Sequence, residues 1–369
     1  MHSPNASPNA SPKSSPNVIG CDIGGANLKL ANCFGHCAVL TFPMWLKPEQ
    51  LASALREMIN EFQVTGDTQL AVTMSGELAD CFKTRRDGVH QILLQVEQAF
   101  APERTRIYSV GNHWLSSEQA VAAPWDVAAS NWHALATWIG MFADHRVDLV
   151  LDIGSTTVDI IPMQPDANGQ SRPATNARTD RNRLELGQLV YSGLERTPIA
   201  AIVREVSVDG RRIPVMAERF ATSDDCYVAL NLTPESSDDC DSADNRPRTK
   251  ANAHARLARM IGEDSETLPK EASQQIAEQV IDAQATQVAE AIARNLPRPA
   301  ENFATDNLTA ANITAVGHGR ALAVRAMAKL AQPAATVTWL ADRMSPSAAR
   351  CGPALAVANL LANHLRKQT

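Results

Sequence analysis

The sequence predicts an α/β protein built from two related domains. Three observations carry that reading. Short apolar strands alternate with amphipathic stretches along most of the chain, as layered α/β structures require. A strand, an Asp-Ile-Gly turn and a second strand occur twice, as VIGCDIGGANLKLA (18–31) and within RVDLVLDIGSTTVDIIPM (146–163), so that Asp152 follows Asp22 by 130 residues (152 − 22). Finally, 369 residues with 44% hydrophobic content suffice for two cores better than for one.

The elements follow in order. Residues 1–17 repeat Ser-Pro-Asn-Ala, a composition with nothing to bury, and are expected to form a disordered tail. The first domain is expected over 18–145. It opens with the first hairpin and continues with a helix from Pro48 to Phe62, where Leu51, Leu55, Ile59 and Phe62 recur at helical spacing. The strand QLAVTM comes next, ending in Ser-Gly-Glu, and a helix over Arg86–Phe100 follows with Val89, Ile92, Leu93, Val96 and Phe100 on one face. Residues 120–142 are helix-rich, with Trp125, Trp132 and Trp138 read as packing residues. The second domain, 146–369, repeats the hairpin and carries an acidic, turn-rich excursion over 221–265. A long helix over Glu271–Arg294 buries a stripe of Ile276, Val280, Ile281, Ala285, Val288 and Ile292. The strand ITAV then leads into Gly317-His318-Gly319 and an alanine-rich helix. A strand near TVTWL and a helix over Pro353–Leu365 close the chain, the last free to pack back on the first domain.

Bulk properties exclude several partners. A net charge of −6 provides no basic field for nucleic acid or an anionic membrane surface, which leaves small molecules as the default ligands. No apolar run approaches the roughly 20 residues of a membrane helix, and MHSPNASPNASPKSSPN has no apolar segment of the signal-peptide kind. A cytoplasmic protein is the expectation. Cys33, His36 and Cys37 are the one dense group of thiols and imidazole, but no second ligand pair follows at zinc spacing, so the cysteines are expected to be reduced. His113, His133 and His145, near the tryptophans, read as structural.

Chemistry concentrates in the two hairpins. Glycine lets backbone N–H groups converge on an anion without a Cβ in the way and tolerates positive φ, while an aspartate ending the preceding strand can hold Mg²⁺ against phosphate oxygens. The first set is Asp22, Gly24, Gly25, Asn27 and Lys29; the second is Asp152, Gly154, Ser155, Thr156, Thr157 and Asp159. Asp22 and Asp152 are the expected magnesium ligands. One Asp-x-Gly turn alone serves any hairpin. Its recurrence with polar tips, followed by Gly317-His318-Gly319 between strand and helix, points to a polyphosphate gripped by two facing turns.

These motifs resemble the actin, hexokinase and 70-kDa chaperone superfamily, whose ribonuclease H-like domains each begin with a phosphate hairpin and close on a ligand across a cleft. Three further segments, VTMSGELADCFKTRRDGV (72–89), TDRNRLELGQLVYSGLERTPIAAI (179–202) and ERFATSDDCYVALNLTP with SADNRPRT, resemble the hydantoinase and oxoprolinase branch. Within it they are most similar to short proteins of tetrahydromethanopterin-linked one-carbon metabolism and to the condensing enzymes of methanofuran biosynthesis. The likeness spans nearly the whole chain from Val18. It implies a transferase that condenses a furanylmethyl diphosphate with a tyrosine- or tyramine-derived phenol, giving an aryl ether and pyrophosphate, with Mg²⁺ as cofactor.

It also implies roles. Glu77 falls where sugar kinases of the superfamily place a catalytic carboxylate, and is the expected base for the phenol proton or equally a turn cap; Asp80 is its rival. Lys29 is either a point charge on the leaving group or an exposed strand residue. Asp152 belongs to the same catalytic set. Arg85 and Arg86 are either phosphate ligands or a solvated pair, and Arg181, Arg183 and Tyr191 suggest a substrate wall. Nucleotide-binding relatives place small residues at the third glycine turn, so His318 speaks against ordinary ATP binding. The alternatives are an ATP-dependent small-molecule kinase, a hydantoinase- or oxoprolinase-like hydrolase, and a nucleotide-regulated assembly protein.

Overall fold

The period-2 alternation of Val18–Ile23 places Ile19, Cys21 and Ile23 on one face of a strand and Gly20 and Asp22 on the other. In a computed structural model, which describes residues 16–296, 311–330 and 336–368, this strand (β1) lies third in a six-stranded sheet. The element order runs β2 (Asn27–Asn32), β3 (Cys37–Thr41), α1 (Leu51–Asn60), β4 (Gln69–Met74), α2 (Arg85–Ala99), β5 (Thr105–Ser109) and β6 (His113–Leu115). Helices α3 (Ser117–Ala122), α4 (Pro124–Val127) and α5 (Asn131–Phe142) follow. The sheet order is β3-β2-β1-β4-β5-β6, with β1 antiparallel to β2 and parallel to β4, which is parallel to β5. Ile19, Cys21 and Ile23 meet Leu55, Ile59, Val89, Ile92 and Val96 of α1 and α2 in a common core.

A second sheet begins at β7 (Leu149–Ile153) and β8 (Val158–Pro165). It is followed by β9 (Ser171–Pro173), α6 (Asp180–Glu185), β10 (Leu189–Val190), α7 (Ile199–Ile202) and the hairpin β11 (Glu205–Val208) and β12 (Arg211–Pro214). Then come α8 (Ser223–Ala229), α9 (Lys250–Arg259), α10 (Lys270–Asn295), β13 (Asn312–Gly317), α11 (Arg320–Ala328), β14 (Thr336–Trp339), α12 (Pro346–Arg350) and α13 (Gly352–Gln368). The order β10-β8-β7-β13-β14 repeats the pattern of the first sheet, since β7 is antiparallel to β8 and parallel to β13, itself parallel to β14. Two sheets of this ribonuclease H-like order, each entered through a glycine hairpin, make the duplicated actin/hexokinase-like fold. The buried stripe of α10, from Ile276 to Ile292, packs with Leu149, Leu151 and Ile153 in the second core.

The chain divides into two compact units: the described residues of Met1–Ala134 with Pro353–Thr369, and Leu135–Gly352. The first unit therefore holds most of the C-terminal helix. Gly20 makes room for it, because a Cβ there would run into the backbone of Ala354.

Several expectations are refined. The tail expected over 1–17 lies outside the described residues except for its last two. Trp132 is buried as a packing residue should be, but Trp125 is 53% exposed, because α4 buries Pro124 and Val127 and leaves Trp125 off that face. The stretch 221–265 is rich in acid yet carries α8 and α9, and its charge is spent internally. Arg256 pairs with Asp225 at 2.7 Å and with Asp244 at 2.9 Å, and Arg248 binds Asp224 and Asp239. Burial pushes the Asp225 carboxyl up to about 6, although Arg256 pulls the other way. All seven cysteines are free thiols, and among the described residues no helix is long and apolar enough to cross a membrane.

Candidate functional site

In the first hairpin the Gly24 N–H donates to the Asn27 carbonyl at 3.0 Å, which closes the turn. The carbonyls of Gly25 and Ala26 accept from Met44 and Phe42, both at 2.9 Å, so the chain after β3 ties down the tip. Among the described residues the N–H groups of Gly25 and Ala26 are given to no other protein group. A Cβ on Gly25 would have nothing within 4 Å. Neither Gly24 nor Gly25 has a positive φ, which corrects one reason expected for them. The working reason is close approach: the Ser75 and Gly76 N–H groups both reach the Ile23 carbonyl, and a Cβ on Gly76 would stand 2.9 Å from Gly24.

The second hairpin repeats the closing bond, and a later stretch of chain again ties down its tip, though through carbonyls one position earlier. Gly154 N–H donates to Thr157 at 3.0 Å, the same bond 130 residues on. The carbonyls of Gly154 and Ser155 accept from Leu194, Glu195 and Arg196. The N–H groups of Ser155 and Thr156 are given to no other protein group among the described residues. Gly193 is obligatory, since its Cβ would lie 2.5 Å from the Thr156 backbone. Behind it, the fully buried Gln284 of α10 donates to the Gly193 carbonyl and Ser192 Oγ, and accepts from the Tyr227 hydroxyl.

The aspartates occupy matching places with different neighbours. Asp22 lies opposite Lys29 across the β1/β2 pair, and Nζ is 4.0 Å from Oδ2. Asp152 lies opposite Asp159, which is neutralised by the buried Arg183 at 2.7 Å. Burial pushes the Asp159 carboxyl up, and Arg183 opposes that. Arg183 is thus an internal counter-ion, not a substrate wall, and Arg181 pairs with Glu185 on the surface. Gly317, at φ +82, brings the β13 turn onto β7: a Cβ there would stand 2.9 Å from Asp152 Oδ1. Asp152 and the third glycine turn are therefore one site at the carboxyl ends of β7 and β13, where open parallel sheets bind ligands.

Two features lay outside the sequence reading. Glu195, two residues beyond Gly193, accepts from His318 Nε2 at 2.9 Å and lies 3.7 Å from Arg350. Burial raises its carboxyl, but His318 and the arginines outweigh that and hold it below the ordinary range. Its signal was Ser-Gly-Leu-Glu between a strand and a helix, a glycine spaced for close approach. The second feature is the pairing of Glu77, which is buried, with Arg85 at the first turn of α2 at 3.6 Å. Arg85 is thus neither solvated nor free for phosphate, whereas Arg86 and Asp80 are exposed.

Taken unit by unit, each hairpin offers oxygen donors of the kind that suit magnesium better than a softer metal. Asp22 and Asp152 each present one hard carboxylate, and among the described residues no group of three or more His, Cys, Asp or Glu gathers as an all-protein cage does. One or two carboxylates plus substrate phosphate is the usual magnesium arrangement.

Duplicated hairpins with undonated tip amides, on a duplicated ribonuclease H-like scaffold, define a protein of the actin/hexokinase-like class. The chain belongs to the hydantoinase/oxoprolinase family, whose model matches residues 69–351. Its relatives include (4-{4-[2-(gamma-L-glutamylamino)ethyl]phenoxymethyl}furan-2-yl)methanamine synthase of Methanocaldococcus jannaschii, 34% identical over 252 residues, covering 68% of this chain and 72% of that one. The synthase of the same name from Methanococcus vannielii is 25% identical over 61% of this chain and 96% of its own. Among solved structures, nucleotide-free acetone carboxylase aligns over 93% of this chain and 70% of its own, at 10% identity and a TM-score of 0.49.

Proposed function

We propose that the protein is a transferase of methanofuran-type cofactor synthesis, in tetrahydromethanopterin-linked one-carbon metabolism. It joins the oxygen of a tyrosine- or tyramine-derived phenol to a furanylmethyl carbon and releases pyrophosphate. What carries the reading is the two pairs of undonated tip amides in a chain related to synthases named for a phenoxymethylfuran product. A furan-2-ylmethyl carbon loses diphosphate readily because the ring oxygen delocalises the developing cation. The protein's work is then to stabilise the leaving anion and to hold the phenol in line. The amides of Gly25, Ala26, Ser155 and Thr156 serve the anion, and Lys29 adds a point charge. Asp22 and Asp152 would hold Mg²⁺, which when bound offsets negative charge on the phosphate oxygens. Both substrates are small molecules, and a cytoplasmic site of action accords with the pathway.

The test supplies purified protein with Mg²⁺, the furanylmethyl diphosphate and a phenolic amine, and follows the aryl ether by mass spectrometry and pyrophosphate by coupled assay. Ether should form without ATP, and Asp22→Ala and Asp152→Ala should abolish it. Variants that condense at the wild-type rate would remove both carboxylates from the mechanism. ADP formation from ATP and a cofactor precursor, without ether, would establish the kinase alternative instead.

A further inference from the structure

Resting on that transferase reading, we infer that His318 is the base that takes the phenol proton and that Glu195 is the residue that positions it. A carboxylate can only accept, so the 2.9 Å contact places a proton on Nε2, and in the neutral ring the lone pair is then on Nδ1. Among the described residues Nδ1 makes no hydrogen bond, and the His318 side chain keeps 25% of its surface exposed, enough to meet a substrate. The ring is placed twice over. Gly317 lays its turn against Asp152, and the backbone of Glu195 is tied to the second hairpin through the Ser155 carbonyl at 2.9 Å. The base is thus linked, through Glu195, to the hairpin whose Ser155 and Thr156 amides are proposed for the leaving group.

The chemistry favours an imidazole. As a class, a carboxylate near ~4 is a poor match for a phenol near ~10, and an imidazole near ~6.5 is a closer one. Glu77 is less suited still, being buried with Arg85 at 3.6 Å. In the step, Nδ1 accepts the phenol proton and the phenol oxygen forms a bond to the methylene carbon. The carbon–oxygen bond to diphosphate breaks, and its electron pair leaves with pyrophosphate. The resulting imidazolium is stabilised by Glu195. The other charged groups around the pair are Arg350, Arg248 and Asp224, which act on Glu195, and Asp152 beside Gly317.

The experiment compares wild type, His318→Gln, Glu195→Gln and Glu77→Gln on a tyramine-type phenol and on a more acidic fluorinated one, across pH. His318→Gln should lower kcat about 10²- to 10⁴-fold, with KM little changed. It should also lose the acid limb of the pH profile and recover much of its rate on the fluorinated phenol, which a merely structural defect would not do. Glu195→Gln should fall less and displace that limb. A His318→Gln enzyme with the wild-type rate and profile, or with the same loss on both phenols, would overturn the assignment, as would finding the acidity-dependent recovery in Glu77→Gln instead. Wild-type protein that forms no ether at all would sink the transferase reading and this inference with it.

Discussion

Glycine does three different jobs in this chain, and substitution separates them. Gly317 has φ +82 and lies against the Ile153 carbonyl and Asp152 Oδ1, so Gly317→Ala meets both backbone strain and a clash. It should cost about 1–3 kcal/mol in denaturant unfolding, along with activity through displacement of Asp152. Gly25 has neither constraint, and Gly25→Ala should leave stability within about 0.5 kcal/mol. The new methyl would nevertheless fill the approach to the Gly25 and Ala26 amides. A Gly25→Ala enzyme that is stable and fully active would show that no ligand comes to this turn. Gly193 stands between the two, compelled by packing alone because it must pass over the Thr156 backbone.

At the scale of elements, α10 does more than cover a sheet. Gln284 is the polar break in its apolar stripe, and its amide joins Tyr227 of α8 to the Ser192–Gly193 loop. Gln284→Ala should destabilise by several kcal/mol, since each buried group left unpaired costs about 1–3 kcal/mol. It should also lower activity by loosening the loop over the second hairpin. Gln284→Glu, similar in size, tests shape against hydrogen bonding, because it loses the donor to Gly193 while keeping an acceptor for Tyr227. Helices α8 and α9 make a prediction about pH. Asp225 titrates near 6 in the folded chain, above an unfolded carboxylate near ~4. The folded state therefore holds the proton more tightly. The stability this group supplies is full below about pH 4 and fades as pH rises through 6. Asp225→Asn, which keeps an acceptor for the Thr222 N–H, should flatten the decline in unfolding free energy between those values. An unchanged slope would mean that Arg256 holds Asp225 ionised throughout.

Across the whole molecule, what the sequence announced was local and what it withheld was long-range. The strand QLAVTM, the helices over 85–99 and 270–295 and both hairpins follow from periodicity and turn chemistry, which reside in adjacent residues. The 130-residue repeat was legible because Asp-Ile-Gly recurs between two apolar strands, and in the structure Gly24 and Gly154 close the same hydrogen bond. Glu195 was not, because it gains meaning only where β13 delivers His318 from more than a hundred residues away. Arg183 likewise looked like a substrate residue until Asp159, opposite Asp152, required a counter-ion.

The repeat also sets an expectation for ligand binding by the intact chain. Amides suited to phosphate are duplicated, yet the third glycine turn carries His318 hydrogen-bonded to Glu195, where a purine would need an open, small-residue wall. Pyrophosphate with Mg²⁺ should therefore stabilise the protein, and adenine should add nothing to that. At about 100 times its Kd such a ligand contributes about 2.7 kcal/mol, a rise of several degrees in the melting midpoint. Melting curves with Mg²⁺ and pyrophosphate, and with Mg²⁺ and a non-hydrolysable ATP analogue, decide the matter, with Asp152→Asn expected to remove the shift. If the analogue stabilises more than pyrophosphate does, the site reads the nucleoside, and the kinase alternative gains the ground that the diphosphate transferase loses.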